Sequence, residues 1–140
     1  MCRLCFRILS GAKLTVRRDS NNHLLLKGNN ILIQPGSTFI LPIRVEKEGT
    51  LLKWKFYTDT YDIVSHFGLF ENGKLTRMKV DSEVYVGNGR YHLSVKVDKK
   101  GVYGIEWDNT ASWIREKKVS YIVEEFLPDP TVDEKIQLNK

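Results

Sequence analysis

Trp113, Arg115, Lys117 and Lys118 are the residues of this chain best suited to contact chemistry. An indole beside three cations can anchor a protein partner, because Trp and Arg dominate interface hot spots. The same set suits an anionic membrane, with the indole at headgroup level and the cations adding attraction. An indole packed over the end of the fold, with ordinary solvated cations beside it, competes with both. Just upstream stand Asp108 and Asn109. Such side chains accept hydrogen bonds from nearby backbone N–H groups and tolerate unusual backbone angles, so a structural turn is expected there ahead of a ligand contact.

Elsewhere the chemistry is thin. Cys2 and Cys5 lie among basic and apolar residues and could be S-acylated; stable anchoring needs two such signals. A plain first strand with small apolar thiols is the stronger reading. A zinc site would need two more ligands. His23, His66 and His92 stand at spacings that match no zinc finger, so no metal is expected. His66 and His92 fall within strand patterns. Asp59 and Asp62 flank Tyr61; they read as turn caps more easily than as an acid/base pair, which needs a cleft between its carboxylates. Gly87-Asn88-Gly89 reads as a hairpin turn, without the strand–loop–helix context and lysine of a phosphate-binding loop. No catalytic residues, no cofactor and no enzyme activity are therefore expected.

The elements that must position these residues are strands. Residues 51–58 (LLKWKFYT) put Leu52, Trp54 and Phe56 on one face and Lys53, Lys55 and Tyr57 on the other. Residues 91–97 alternate likewise, and Tyr103, Ile105 and Trp107 share a face in 102–107. Further strands are expected at 13–17, 23–27, 31–34, 38–45, 61–70 and 119–126. Pro42 suits an edge or a bulge. Asn72-Gly73 is a strong hairpin signal, whereas Gly28-Asn29-Asn30 reads as a turn between two strands. Residues 113–118 could form one helical turn, and no other helix is expected. Tyr57, Tyr85 and Tyr91 are expected to pack across strands. Eight to ten short strands predict an all-β fold, an antiparallel β-sandwich of jelly-roll type with two packed sheets.

The chain has 140 residues and a net charge of +5, unevenly placed. Residues 1–18 hold Arg3, Arg7, Lys13, Arg17 and Arg18 and no acid; the rest carries 17 basic against 17 acidic residues. A neutral body argues against nucleic acid as a partner. No apolar run approaches the 18 or so residues of a membrane span, and the first residues do not read as a secretory leader. With only two cysteines, a cytoplasmic setting is expected.

Residues 101–129, GVYGIEWDNTASWIREKKVSYIVEEFLPD, resemble the GOLD (Golgi dynamics) domain, most closely the copy at the end of Sec14-like proteins. The resemblance rests on Gly101-Val102-Tyr103, the strand to Trp107, Asp108-Asn109-Thr110, Ser112, Lys117-Lys118-Val119 and Leu127-Pro128-Asp129. Gly36-Ser37, Leu52–Phe56, Asp59 and Asp62 extend it more weakly upstream, to about residue 30. The pattern breaks at Ala111, where the family usually has an aromatic; Trp113 could supply the lost bulk. The loop at 71–84 is short for a Sec14-like member, and no preceding lipid-binding domain fits in the chain. The division expected is an N-terminal extension or strands at 1–29, a sandwich at 30–129 and a tail at 130–140. The resemblance implies a non-enzymatic protein-interaction or adaptor module of Golgi or endosomal membrane traffic, peripheral on those membranes. Direct binding of anionic phospholipid is the first alternative. A carbohydrate-binding or structural sandwich is the second; the former would need Tyr61, His66 and Trp107 to converge on a pocket.

Overall fold

The computed structural model describes residues 13–18, 24–59 and 63–128. The described residues form ten strands and no helix. In chain order these are β1 (Lys13–Arg18), β2 (Leu24–Ile33), β3 (Thr38–Val45), β4 (Thr50–Thr58), β5 (Val64–Glu71), β6 (Lys74–Met78), β7 (Ser82–Gly87), β8 (Arg90–Val97), β9 (Gly101–Asp108) and β10 (Lys117–Phe126). They make two antiparallel sheets, ordered β1-β2-β10-β4-β8-β7 and β3-β9-β5-β6, packed face to face as a β-sandwich.

Period-2 alternation builds the core. Leu52, Trp54 and Phe56 of β4, Leu93, Val95 and Val97 of β8, and Val119, Tyr121 and Val123 of β10 are buried on one inner face. Phe39, Leu41, Ile43 and Val45 of β3, with Tyr103, Ile105 and Trp107 of β9, fill the other. Trp107 stacks on Phe39 at 5.9 Å and on Tyr121 at 5.2 Å, so one indole joins the two sheets. Trp54 and Phe67 make a second such contact at 5.4 Å. Aromatic pairs of this kind contribute beyond their burial, about 0.5–1.5 kcal/mol each.

Pro42 sits on β3, an edge strand, where a residue without an N–H is tolerated. Asn72 and Gly73 both have positive φ, 53° and 75°, as a two-residue hairpin between right-twisted strands requires.

Three expectations need correction. Gly28-Asn29-Asn30 is not a turn; β2 runs through it, and through the boundary drawn at residue 29. Val119 faces Ile31 and Tyr121 faces Gly28, so Asn29 and Asn30 together oppose Ser120 alone. That is a β-bulge, in which Asn30 takes φ 53° and its N–H donates to Ser120 Oγ at 3.0 Å. The short loop at 71–84 instead contains β6 and the start of β7. The strand expected at 61–70 is present as β5 over Val64–Glu71, its first two residues lying outside the described ones. Residues 113–118 form no helical turn: Lys117 and Lys118 already belong to β10, opposite Ile33 and Leu32. Cys2, Cys5, His23, Tyr61, Asp62 and the tail after residue 130 lie outside the described residues.

Candidate functional site

One end of the sandwich gathers the turn at 34–37, the hairpin at 87–89 and the loop at 109–116. Backbone bonds from Gly36 N to Asn109 O and from Thr58 N to Gly89 O hold this end together. The centre of the arrangement is Asn109, 1% exposed. Its Nδ2 donates to the carbonyls of Ile33 at 3.1 Å, Gln34 at 3.2 Å and Arg115 at 2.9 Å. Its own N–H donates to Ser37 O at 2.9 Å, and its carbonyl accepts from Ser112 N at 3.2 Å. One side chain thus ties the end of β2 to both ends of the β9–β10 loop. Sequence reasoning expected Asn109 to accept; in the structure its amide donates.

Asp108 accepts as expected, with Oδ1 taking the Thr110 N–H at 2.7 Å. Burial pushes its carboxyl up. The side-chain and backbone hydrogen bonds of Thr110, with the charges of His66 and Arg77, outweigh that and leave it below the ordinary value.

The loop then closes on itself. Ser112 Oγ donates to Arg115 O at 3.1 Å and accepts from Arg115 N at 3.2 Å. Between these clamped residues stand Trp113, 91% exposed, and Ile114, 89% exposed. The middle of a tight turn normally goes to Gly, Asn, Asp or Pro. Here it holds two large apolar side chains projecting into solvent from a loop fastened at its base.

Of the residues singled out in the sequence, Trp113 and exposed Arg115 stand on this loop, and exposed Lys118 follows it at the start of β10. Lys117 is half-buried and alternates onto the opposite face of β10, so it stands apart from Lys118. Trp113 does not pack over the sandwich end and supplies no bulk for Ala111. Ile114, likewise exposed on the loop, is not among the residues singled out. Its signal was its position, an aliphatic residue directly after Trp113 in a stretch with no strand alternation.

A second exposed apolar run lies on β7, an edge strand. Val84, Tyr85 and Val86 are 49%, 57% and 49% exposed. Tyr85 packs against Tyr91, its partner in register, with ring centroids 4.8 Å apart. Tyr57 instead carries Arg90 over its ring at 4.8 Å.

The pocket imagined around Tyr61, His66 and Trp107 does not form, because Trp107 is fully buried within the core while His66 lies on the outer face of its sheet. Among the described residues no three His, Cys, Asp or Glu side chains come together as a metal site, and no helix is long and apolar enough to cross a membrane. No protein-family model matches the chain.

Proposed function

We propose that this domain is a non-enzymatic docking module that is recruited to an anionic membrane surface through the β9–β10 loop. The observation that carries the reading is the pair Trp113 and Ile114, nearly fully exposed on a loop whose base is hydrogen-bonded to the body of the sandwich. Leaving two such side chains in water costs the free protein the favourable transfer of their surface, about 1.5–3 kcal/mol for a side chain of this size. A bilayer interface recovers it: indole favours the headgroup region and the aliphatic chain the acyl boundary. Arg115 beside the tip and Lys118 at the start of β10 add attraction to acidic lipid. The fixed base means that docking orders few additional residues. The resemblance to GOLD domains supports placing this recruitment in Golgi or endosomal traffic.

A protein partner is the second reading, favoured by the β7 edge. An edge strand with unpaired backbone groups and three consecutive exposed apolar residues can accept an extended strand from another chain. The two contacts lie on different elements, so a membrane and a protein could be held together, as an adaptor requires.

Co-sedimentation with phosphatidylserine-containing vesicles tests the first reading. The Trp113→Ala/Ile114→Ala variant should keep its urea midpoint and lose vesicle binding at least about tenfold, the equivalent of roughly 1.4 kcal/mol. Wild-type protein that ignores the vesicles, or a variant that binds like wild type, sinks the membrane reading. Affinity capture of a protein that survives the loop variant but is lost with Val84→Lys would favour the second.

A further inference from the structure

Away from the loop, the outer face of the six-stranded sheet carries a depression of about 320 Å³ across β2, β10, β4 and β8. Its polar lining consists of Lys27, Asn29, Lys55, Arg90, His92 and Ser120, with no carboxylate among its residues. Sequence order hides this grouping. Lys27 faces Ile122, Ile122 faces Lys55, and Lys55 faces His92, so a single cross-strand row brings residues 27, 55 and 92 into line. Arg90 enters from the next row, beside Tyr57.

Lys55 and Arg90 are diagonal neighbours across β4 and β8, and like charges placed so close on a sheet surface are unfavourable where opposite charges would contribute. Glu124 lies one row farther along, opposite Lys53, and lines an adjoining depression together with Lys55 and His92. The body of the chain is neutral in sum, yet this patch is not.

Two of the groups are also oriented. The Arg90 guanidinium lies over the Tyr57 ring at 4.8 Å, which restrains its long side chain. Ser120 Oγ accepts the Asn30 N–H at 3.0 Å, so its own hydroxyl hydrogen remains to be donated outward. The bulge that creates this bond also places Asn29 at the rim.

We propose that this depression binds a multiply phosphorylated small group, either a soluble phosphate ester or the phosphorylated headgroup of a lipid. Three cations, of which Arg90 is restrained over Tyr57, with hydroxyl, amide and imidazole groups between them match an anion of more than one charge. A phosphate monoester carries about −1.5 to −2 and three acceptor oxygens, and guanidinium binds it in bidentate fashion. Nucleic acid fits less well. Single-strand binders offer free aromatic faces for stacking, and the one aromatic ring exposed on this patch, Tyr57, is covered by Arg90. The proposal is separate from the loop reading, since its residues lie on strand faces and it can be tested with a soluble ligand.

Isothermal titration with inositol trisphosphate, and vesicles of phosphatidylcholine with and without phosphatidylinositol bisphosphate, provide the test. Wild type, Lys55→Ser, Arg90→Ser and Trp113→Ala are compared, each with its urea midpoint. Saturable single-site binding that weakens at least tenfold in Lys55→Ser and Arg90→Ser, and is unchanged in Trp113→Ala, supports the site with a soluble ligand. The same pattern with vesicles alone supports a lipid headgroup. No binding to either, equal binding by the strand variants, or tighter binding to oligodeoxythymidine overturns the proposal. Should either Ser variant fail to fold, Lys27→Ser and full-strength competition by inorganic sulfate decide in its place, loss in the former and none in the latter supporting it.

Discussion

Asn109 shows how much of this end of the molecule hangs on one side chain. Its amide serves three carbonyls from two segments more than 70 residues apart in the chain. Replacement by Ala leaves those carbonyls without that donor in a buried setting, and we expect a loss of about 2–3 kcal/mol in urea denaturation. Asn109→Asp should be at least as damaging, because a carboxylate cannot donate to carbonyls. A loss below about 0.5 kcal/mol, within the scatter of an ordinary surface substitution, would remove Asn109 from this role. Asp108 next to it gives a pH signature. Its carboxyl titrates below the ordinary value when folded, so its contribution is fully present above pH about 4 and is lost as the pH falls through the folded value. Stability of the wild type should therefore drop on acidification in that window, and Asp108→Asn should flatten the slope. Parallel acid profiles for the two proteins would contradict the assignment.

At the level of elements, the bulge in β2 couples backbone irregularity to core packing. A side chain on Gly28 would place its Cβ 2.4 Å from the Tyr121 ring. That ring is held between β2 and the stacked Trp107, so it has little room to retreat. Gly28→Ala should cost about 1–3 kcal/mol through overpacking, and trimming the ring with Tyr121→Leu should recover part of it in a double-mutant cycle. Additive effects would mean the two do not meet. This element also marks the limit of legibility in the sequence. Alternation in β4, β8 and β9 was readable because one face of each is buried. Gly28-Asn29-Asn30 misled because turns and bulges draw on the same residue types, and only the pairing with β10 decides between them. β6 and β7 escaped notice for a related reason: both are edge strands, and nearly all their residues are exposed or half-buried, so alternation was never imposed on them. Trp113 and Arg115, on the loop proposed as a contact, stand out in the sequence because unusual residue types fall in one run. The Lys27, Lys55, Arg90 and His92 grouping does not, because strand pairing assembles it from three separate segments.

Across the whole molecule, the sandwich presents three distinct outward surfaces: the apolar tip at 113–114, the edge of β7 and the basic depression on the larger sheet. Burial of Trp54 and Trp107 in the core, against exposure of Trp113, makes the central claim directly readable by fluorescence. Of the three tryptophans, only Trp113 is accessible to a quencher dissolved in water. The deciding measurement is iodide quenching of the wild-type protein before and after addition of phosphatidylserine vesicles. Membrane docking through the loop predicts that the quenchable component becomes protected and shifts to shorter wavelength, while the two buried indoles stay unchanged. An accessible component that remains fully quenchable, with no spectral shift at saturating lipid, would contradict it.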